Sequence, residues 1–392
     1  MQYIHVCSNC GKARAARHRS VKLMPKIRCA VVGVGNCFAG LVQGIEYYKR
    51  HPDEKVIGVM HEKIGGYTIQ DIVFVASFDV GENKVGKPLS KALYEYPNKV
   101  RWTDSVSCCS GTVKEAPILD GVGLYVENMI KPIKQTKTVK QLKEDAIAEI
   151  TRTGARIILN HLPVGSQKAT EFWAEIALET GCGMVNAMPV FIASNPAWAK
   201  RFKGKGLPVL GDDYKGMVGA TIVHRTLAKL CDMRGTKIDK TYQINVGGNT
   251  DFSNMLERSR LQSKKISKTE SVQSQLSKRL EDDQIYVGPS DFIPFLGNTK
   301  LMFMRIEGRM WANIPYNLEV RLEVDDKANS SGVSADALRY VQFALDKKIG
   351  GPLIGPSAWL MKHPLFQFSD SEAKELADRF AAEGFNEIPR PK

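Results

Sequence analysis

Apolar positions change their rhythm along this chain. From Arg28 to Tyr48 the sequence reads RCAVVGVGNCFAGLVQGIEYY: a short apolar run, a glycine pair, then Phe38, Leu41, Val42 and Ile45 at helical spacing. A strand, a tight turn and a helix are predicted. A second apolar run, DIVFVASFDV, predicts a strand that ends at Asp79. Beyond it come a helical stretch over 139–153, a strand ARIILN to Asn160, a turn HLPVGS, a helix to Thr180, a strand GMVNA and then PVFIASNP. Strands alternating with helices imply a parallel sheet.

A helix is expected over 217–234, with apolar Val223, Leu227 and Leu230 and a closing Gly235, and after it strands dominate. NLEVRLEV at 317–324 alternates strictly, placing Leu318, Val320, Leu322 and Val324 on one face, and LMFMRI at 301–306 is another strand. A half-buried open sheet follows, whose polar face lines a site or meets another subunit. A helix over 334–347 then returns to the earlier style. The fold class expected is therefore α/β: a Rossmann-type nucleotide-binding domain with an inserted α+β, sheet-rich catalytic and oligomerisation domain. The boundaries expected are a basic extension over 1–25, the Rossmann-type domain over 26–237 plus 330–392, and the insert over 238–329.

The glycine pair carries the first chemical reading. Gly33 permits the turn, Gly35 lets the backbone approach a diphosphate, and the helix opening at Asn36 and Cys37 offers free amides and a positive dipole end. The third position of the GxGxxG pattern is Phe38, so the motif is partial and its strand–turn–helix context must carry it. Asp79, at a strand end, can accept hydrogen bonds from ribose hydroxyls, which favours NAD over NADP. It lies beyond the usual spacing of about 20 residues, so an insertion over 51–67 is expected. Ligands of such sheets lie past the carboxyl ends of the strands, which places Asn160, Leu162, Pro163, Val164, Asn186, Pro189 and Ser194 along the cofactor cleft. Singly, each reads as ordinary loop chemistry.

Composition trims the alternatives. The chain has 392 residues, 43% hydrophobic and 25% charged, and its formal net charge is +13. Seven basic residues and no acid among the first 28 leave only +6 for the rest, which suits a small anionic substrate as well as a polynucleotide. No apolar run approaches the roughly 20 residues that span a bilayer, and no signal peptide is recognisable, so a cytoplasmic protein without a membrane partner is expected. Eight cysteines are too dilute for a disulfide scaffold, and Cys29 and Cys231 fall in apolar segments. Cys7 and Cys10 form one half of a zinc ribbon whose second half is missing, so no metal site is expected.

Candidate acids and bases are scattered. Lys264 and Lys268 lie four apart in the polar run ERSRLQSKKISKTESVQSQL. Spacing alone favours a solvated basic loop; on a helix the two would share a face and repel, unless a phosphate or a developing oxyanion sits between them. Asp251, Lys300, Asp326 and Lys362 are further candidates that spacing cannot assemble. Helix capping competes for Asp212 and Asp213. The seven histidines offer no metal pair and no partner for a nucleophile, and the run lacks the aromatics of a nucleic-acid groove.

Several long segments resemble the myo-inositol-1-phosphate synthase family: VVGVGN, LPVGS, PVFIASNPAWAK, GDDYKGMVGATIVHRTLAKL, NVGGNTDFSNMLERSRLQSKKISKT, GPSDFIPFLGNTK, NSSGV and GGPLIGPSAWLMKHP. The likeness runs in order from Lys26 to beyond Lys362, and is nearest to the shorter archaeal and bacterial branch. It implies NAD-dependent cyclisation of glucose 6-phosphate to inositol 1-phosphate, also numbered 3-phosphate, for inositol and phosphoinositide synthesis. Oxidation at carbon 5, enolisation, an intramolecular aldol step and re-reduction then follow with no net redox change. The resemblance aligns Lys264, Lys268, Lys300, Lys362, Asp251 and Asp326 with catalytic positions. It puts Asn36, Cys37, Asp213, Asp251 and Lys264 with the cofactor, and Asn245 and Asn249 with the four lysines around the substrate. It also implies a homotetramer and leaves a monovalent or divalent cation open.

Overall fold

A computed structural model describes residues 25–388; the basic extension before Pro25 and its Cys7–Cys10 pair lie outside the described residues. The strands run Ile27–Val32 (β1), Ile72–Asp79 (β2), Lys114–Glu115 (β3), Ile157–Asn160 (β4), Gly183–Asn186 (β5), Pro208–Leu210 (β6), Lys237–Gly247 (β7), Ile285–Phe292 (β8), Thr299–Arg309 (β9), Pro315–Asp325 (β10) and Gly351–Pro352 (β11). The helices are Asn36–Arg50 (α1), Leu89–Ala92 (α2), Val139–Thr153 (α3), Gln167–Thr180 (α4), Pro196–Gly204 (α5), Ala220–Met233 (α6), Thr250–Asn254 (α7), Gln262–Gln273 (α8), Ala328–Lys347 (α9), Ile354–Leu360 (α10) and Asp370–Glu383 (α11).

Two sheets result. The first is parallel throughout, in the order β11-β6-β5-β4-β1-β2-β3. Because β2 lies on one side of β1 and β4 on the other, the direction of winding reverses at the β1/β4 crevice. Helices cover both faces, as the Val/Ile-rich strands demand. On one side α1 and α9 bury Phe38, Leu41, Leu338 and Val341, with Phe38 edge-on to Phe74 at 4.8 Å between ring centroids. Trp173 and Ile176 of α4 close the other side against Val32 and Phe78.

The helix expected from Ser334 begins earlier, at Ala328. Asp325 explains the difference, since its Oδ1 accepts the amides of Lys327 (2.9 Å) and Ala328 (2.8 Å) and so caps the first turn. Helix α5 and strands β6 and β11 were not expected from periodicity; strands of two or three residues are too short to show a period. The stretch 51–68 between α1 and β2 forms neither helix nor strand, and packs onto α9 through Arg339 Nη1 to Glu62 O (2.9 Å).

The second sheet has the order β10-β9-β7-β8, with β7 and β8 parallel and the other pairs antiparallel. Helices α6 and α8 cover one face, where Val272 and Ala228 meet Met302, Met304 and Ile306. Leu318, Val320 and Leu322 of β10 pack on the same cluster. The opposite face carries Tyr242, Tyr286, Phe303, Glu319 and Arg321, and Tyr242, Tyr286 and Phe303 are exposed. No helix among the described residues is long and apolar enough to cross a membrane.

Candidate active site

The cleft begins at the turn after β1. Gly33 has φ +87°, and a Cβ there would stand 2.7 Å from the His161 carbonyl oxygen, so only glycine fits. Gly35 differs: a Cβ on it would meet nothing within 4 Å, leaving open space directly before α1. Helix α1 has no side-chain cap and no acid in its first turn, so its leading amides and dipole face that space unopposed. Asp79 closes the turn, accepting Val34 N at Oδ2 and Val80 N and Gly81 N at Oδ1, each at 2.8 Å. An open glycine cradle, uncapped amides and a carboxylate at the end of β2 fit the backbone of an anionic dinucleotide. His161, at the end of β4, lines the cleft with both ring nitrogens buried and without a partner; burial and then the Lys327 charge hold its pKa down to about 3.

Deeper in, lysines meet across the space between the sheets. Asp213 accepts the Lys362 ammonium (2.8 Å) and Ser267 Oγ (2.6 Å), and Lys264 stands 3.5 Å away. Asp326 takes Lys300 at Oδ1 (3.2 Å), with Lys327 (2.9 Å) and Asn249 Nδ2 (3.2 Å) at Oδ2. The lysine pair is not on a solvated loop: Lys264 and Lys268 lie on α8, are buried, and face the cleft one turn apart. Lys268 makes no ion pair among the described residues, and burial together with Lys300, Lys264 and Lys362 holds its pKa well below the usual lysine range. Burial brings Lys362 down to about 8, Asp213 limiting the fall. For Lys264 burial is outweighed by Asp213, Asp251 and Asp326, which raise it. Asp213 is held down to about 2, because Lys264 and Lys362 outweigh its burial.

The expected residues divide by placement. Gly33, Gly35, Asn36, Cys37, Asp79, Leu162, Pro163, Asp213, Asn245, Asp251, Lys264, Lys268, Lys300, Asp326 and Lys362 line one cleft. Asn160, Val164, Asn186, Pro189, Ser194 and Asn249 do not; they stand behind it. Val164 packs with Phe252 and Leu261, and Pro189 is buried. Asn160 bonds Asn186, and Asn186 (2.7 Å) and Ser194 Oγ (2.8 Å) bond the Asp212 carboxylate, which also accepts the amides of Ile192, Ala193 and Ser194. Neither aspartate of the GDD turn caps a helix: Asp212 ties down the loop after β5, and Asp213 anchors lysines. Sequence reasoning missed Lys84, His161, Ser267 and Lys327. His161 sits in the quoted turn HLPVGS and Lys327 directly follows Asp326, so adjacency was the only signal. No group of three metal-binding side chains occurs among the described residues.

A Rossmann-type enzyme whose crevice opens onto a cluster of buried and half-buried lysines is what this fold and cleft define. The family model for myo-inositol-1-phosphate synthase matches residues 219–327, which carry α6, the second sheet and α8. The chain is 47% identical over 363 residues to inositol-3-phosphate synthase of Mycolicibacterium smegmatis, covering 91% of this chain and 98% of that one. A myo-inositol-1-phosphate synthase-related protein from Thermotoga maritima shares the fold at 24% identity and TM-score 0.78, over 91% of this chain and 98% of that one. Inositol-3-phosphate synthase from Caenorhabditis elegans shares it at 13% identity and TM-score 0.73, over 94% and 90%. The chain belongs to the myo-inositol-1-phosphate synthase family and is an enzyme of that type.

Proposed function

We propose that this chain cyclises glucose 6-phosphate to an inositol phosphate with NAD held over the Gly33 turn and regenerated in every cycle, and that Lys264, Lys268, Lys300 and Lys362 carry the chemistry. The observation that supports this most directly is the meeting of these four lysines, from α8, β9 and the segment after α10, in one cleft beside the glycine cradle, where Lys264 and Lys362 pair with Asp213, Lys300 pairs with Asp326, and Lys268 stands among them without an ion pair. Gly33, Gly35, the first-turn amides of α1 and Asp79 would hold the cofactor, which when bound would supply a reversible hydride acceptor for carbon 5 of the sugar.

The residues of the chain supply everything else. Lys268, unpaired and with its pKa held low by burial and the neighbouring lysines, is the one of the four best suited to take a proton, either from a hydroxyl or from carbon 6 next to the new ketone. Lys264, kept charged by three carboxylates, is a fixed ammonium for the enolate and the aldol alkoxide. In a pocket from which water is largely excluded such a charge acts far more strongly than in solution. Lys362, near pKa 8, donates a proton as the ring closes. Lys300 and Asn245 complete the substrate wall, and Asp251 and Asp326 orient ammonium groups. The Asp79 carboxylate receives the adenosine ribose, which suits NAD and opposes a 2′-phosphate.

Residues 238–329 act as a catalytic and oligomerisation unit set into the Rossmann-type unit of 26–237 and 330–392. The exposed sheet face with Tyr242, Phe303, Glu319 and Arg321 mixes aromatic and charged side chains, a composition suited to self-association into a homotetramer. The cytoplasm is the compartment assigned. The decisive experiment incubates the protein with glucose 6-phosphate and substoichiometric NAD and identifies the product by phosphorus NMR. An inositol phosphate formed without accumulating NADH is expected; steady NADH with no cyclic product would overturn the reading.

A further inference from the structure

Lys327 belongs to no role described so far, yet it lines the same cleft as the glycine turn and brings a buried positive charge to it. It follows β10 of the second sheet and opens α9 of the first, so it crosses from one layer to the other at the mouth of the β1/β4 crevice. Its main chain is pinned: the amide donates to Asp325 Oδ1 (2.9 Å) and the carbonyl accepts Ser331 Oγ (2.7 Å). The side chain is 3% exposed. Among the described residues its ammonium has two acceptors, Asp326 Oδ2 at 2.9 Å and Cys37 Sγ at 3.5 Å. A thiol is a weak acceptor, so a buried ammonium with three protons is left with unused donor capacity. Cys37 is in the first turn of α1, beside the open space at Gly35, and His161, across the crevice, feels the same charge.

We propose that Lys327 is a further cofactor-holding residue, its ammonium shared between the Asp326 carboxylate and the diphosphate of a dinucleotide laid over the first turn of α1. The proposal rests on the NAD reading of the cleft and adds a residue to it. Helix N-termini supply only partial charge to an anion; a desolvated ammonium supplies a whole one. Asp326 keeps that ammonium charged and in place, and also offsets it, because its carboxylate charge stands beside the same ammonium and opposes a bound anion. Asp251 lies near enough to add to the same field without pairing with it. Since Asp326 also holds Lys300, the diphosphate and the substrate wall are joined through one carboxylate.

Two variants with opposite expected signs test this, read by calorimetric titration with NAD, ADP-ribose and adenosine. K327Q keeps a donor for Asp326 but removes the charge, and should weaken NAD and ADP-ribose by about tenfold to a hundredfold while leaving adenosine unchanged. D326N is isosteric and releases Lys327, so it should bind ADP-ribose several-fold more tightly than the unaltered protein. Equal ADP-ribose affinity in K327Q, an equal loss for adenosine, or weaker ADP-ribose binding in D326N would overturn the proposal. If K327Q does not fold, D326N decides. Failure of the unaltered protein to bind NAD or ADP-ribose at all would count against the cofactor reading; normal binding by both K327Q and the unaltered protein would count against Lys327 alone.

Discussion

Lys362 is joined to Asp213 twice: its amide donates to the Asp213 carbonyl at 2.7 Å, and its ammonium reaches Asp213 Oδ1 at 2.8 Å. The main-chain bond fixes where the side chain starts and the ion pair fixes where it ends. The Lys362 ammonium is therefore held by a carboxylate that belongs to the first sheet's own loop, and His363 N to Asp212 O (3.0 Å) extends the same ladder.

This pair should set the alkaline limb of the pH profile. Lys362 has a pKa near 8, and Asp213 is what keeps it from falling further. If it must be protonated to act, kcat/KM should decline as pH rises through about 8. Replacing Asp213 by Asn removes the raising influence, so the limb should move to lower pH. K362R, which cannot lose its proton in this range, should abolish the limb in whatever activity remains. Initial rates from pH 6 to 10 check this, and an unmoved limb in D213N would exclude Lys362 as the titrating group.

Lys264 and Lys268 should respond differently to the same change. Arginine preserves a fixed positive charge but cannot serve as a neutral base at any working pH. K264R should thus keep part of its turnover, about a tenth or less, whereas K268R should lose about a hundredfold to ten-thousandfold, the usual value of general acid–base catalysis. Exchange of the carbon 6 proton of glucose 6-phosphate with deuterated water isolates the step. Equal losses in the two variants would remove the division of roles.

Much of the parallel sheet was legible because its strands and helices are long enough to repeat a period. The glycine turn with Phe38 in the third position, the helix after it, and the alternating Leu318 to Val324 all have the form their patterns predict. Lys264 and Lys268 were legible only through family resemblance. Their own spacing favours a loop, since two lysines on one buried helical face repel unless carboxylates from elsewhere offset them, and Asp213 and Asp326 are distant in sequence. Asn160, Asn186 and Ser194 sit at the strand ends, as the topological rule requires, yet their side chains turn toward each other and Asp212 and away from the cleft. A rule about backbone position does not fix side-chain direction. Lys327 gave no pattern at all, because its significance arises from a crossing between layers.

Gly33 and Gly35 should separate fold from binding. An alanine at 33 faces both a positive φ and the His161 carbonyl at 2.7 Å, and should cost about 1–3 kcal/mol of stability along with cofactor affinity. An alanine at 35, where φ is −94° and no protein atom lies within 4 Å, should leave the melting temperature unchanged. Its methyl would nonetheless stand where the diphosphate is expected, so NAD should bind at least tenfold more weakly. Thermal melts with NAD titration decide; unchanged NAD affinity in G35A would displace the cofactor from this turn.

Arg225 joins the elements around the site without lining the cleft. Its guanidinium is fully buried and donates to Ser271 O (2.8 Å) at the end of α8, to Phe368 O (3.1 Å), and to Asp370 Oδ1 (3.1 Å) and Oδ2 (3.2 Å). It thereby ties α6 both to the helix bearing Lys264 and Lys268 and to the segment that follows Lys362. Methionine at 225 has similar bulk but leaves the Ser271 carbonyl with Ser274 Oγ (3.0 Å) and the Phe368 carbonyl with Gln275 Nε2 (3.3 Å) as donors, and it leaves Asp370 with Lys215 at 3.3 Å as its remaining ion-pair partner. A loss of about 3 kcal/mol is expected, at the low end for breaking a buried pair because Lys215 stays. The catalytic consequence should fall on kcat, since α8 and the Lys362 segment lose their common anchor, while NAD affinity, set at the far end of the crevice, should hold within a few-fold. Lysine at 225 restores one charged contact but not the fork, so R225K should recover more stability than turnover. Urea unfolding and steady-state rates on the two variants provide the check, and a variant that loses stability while retaining full kcat would show that Arg225 supports the fold without aligning the lysines.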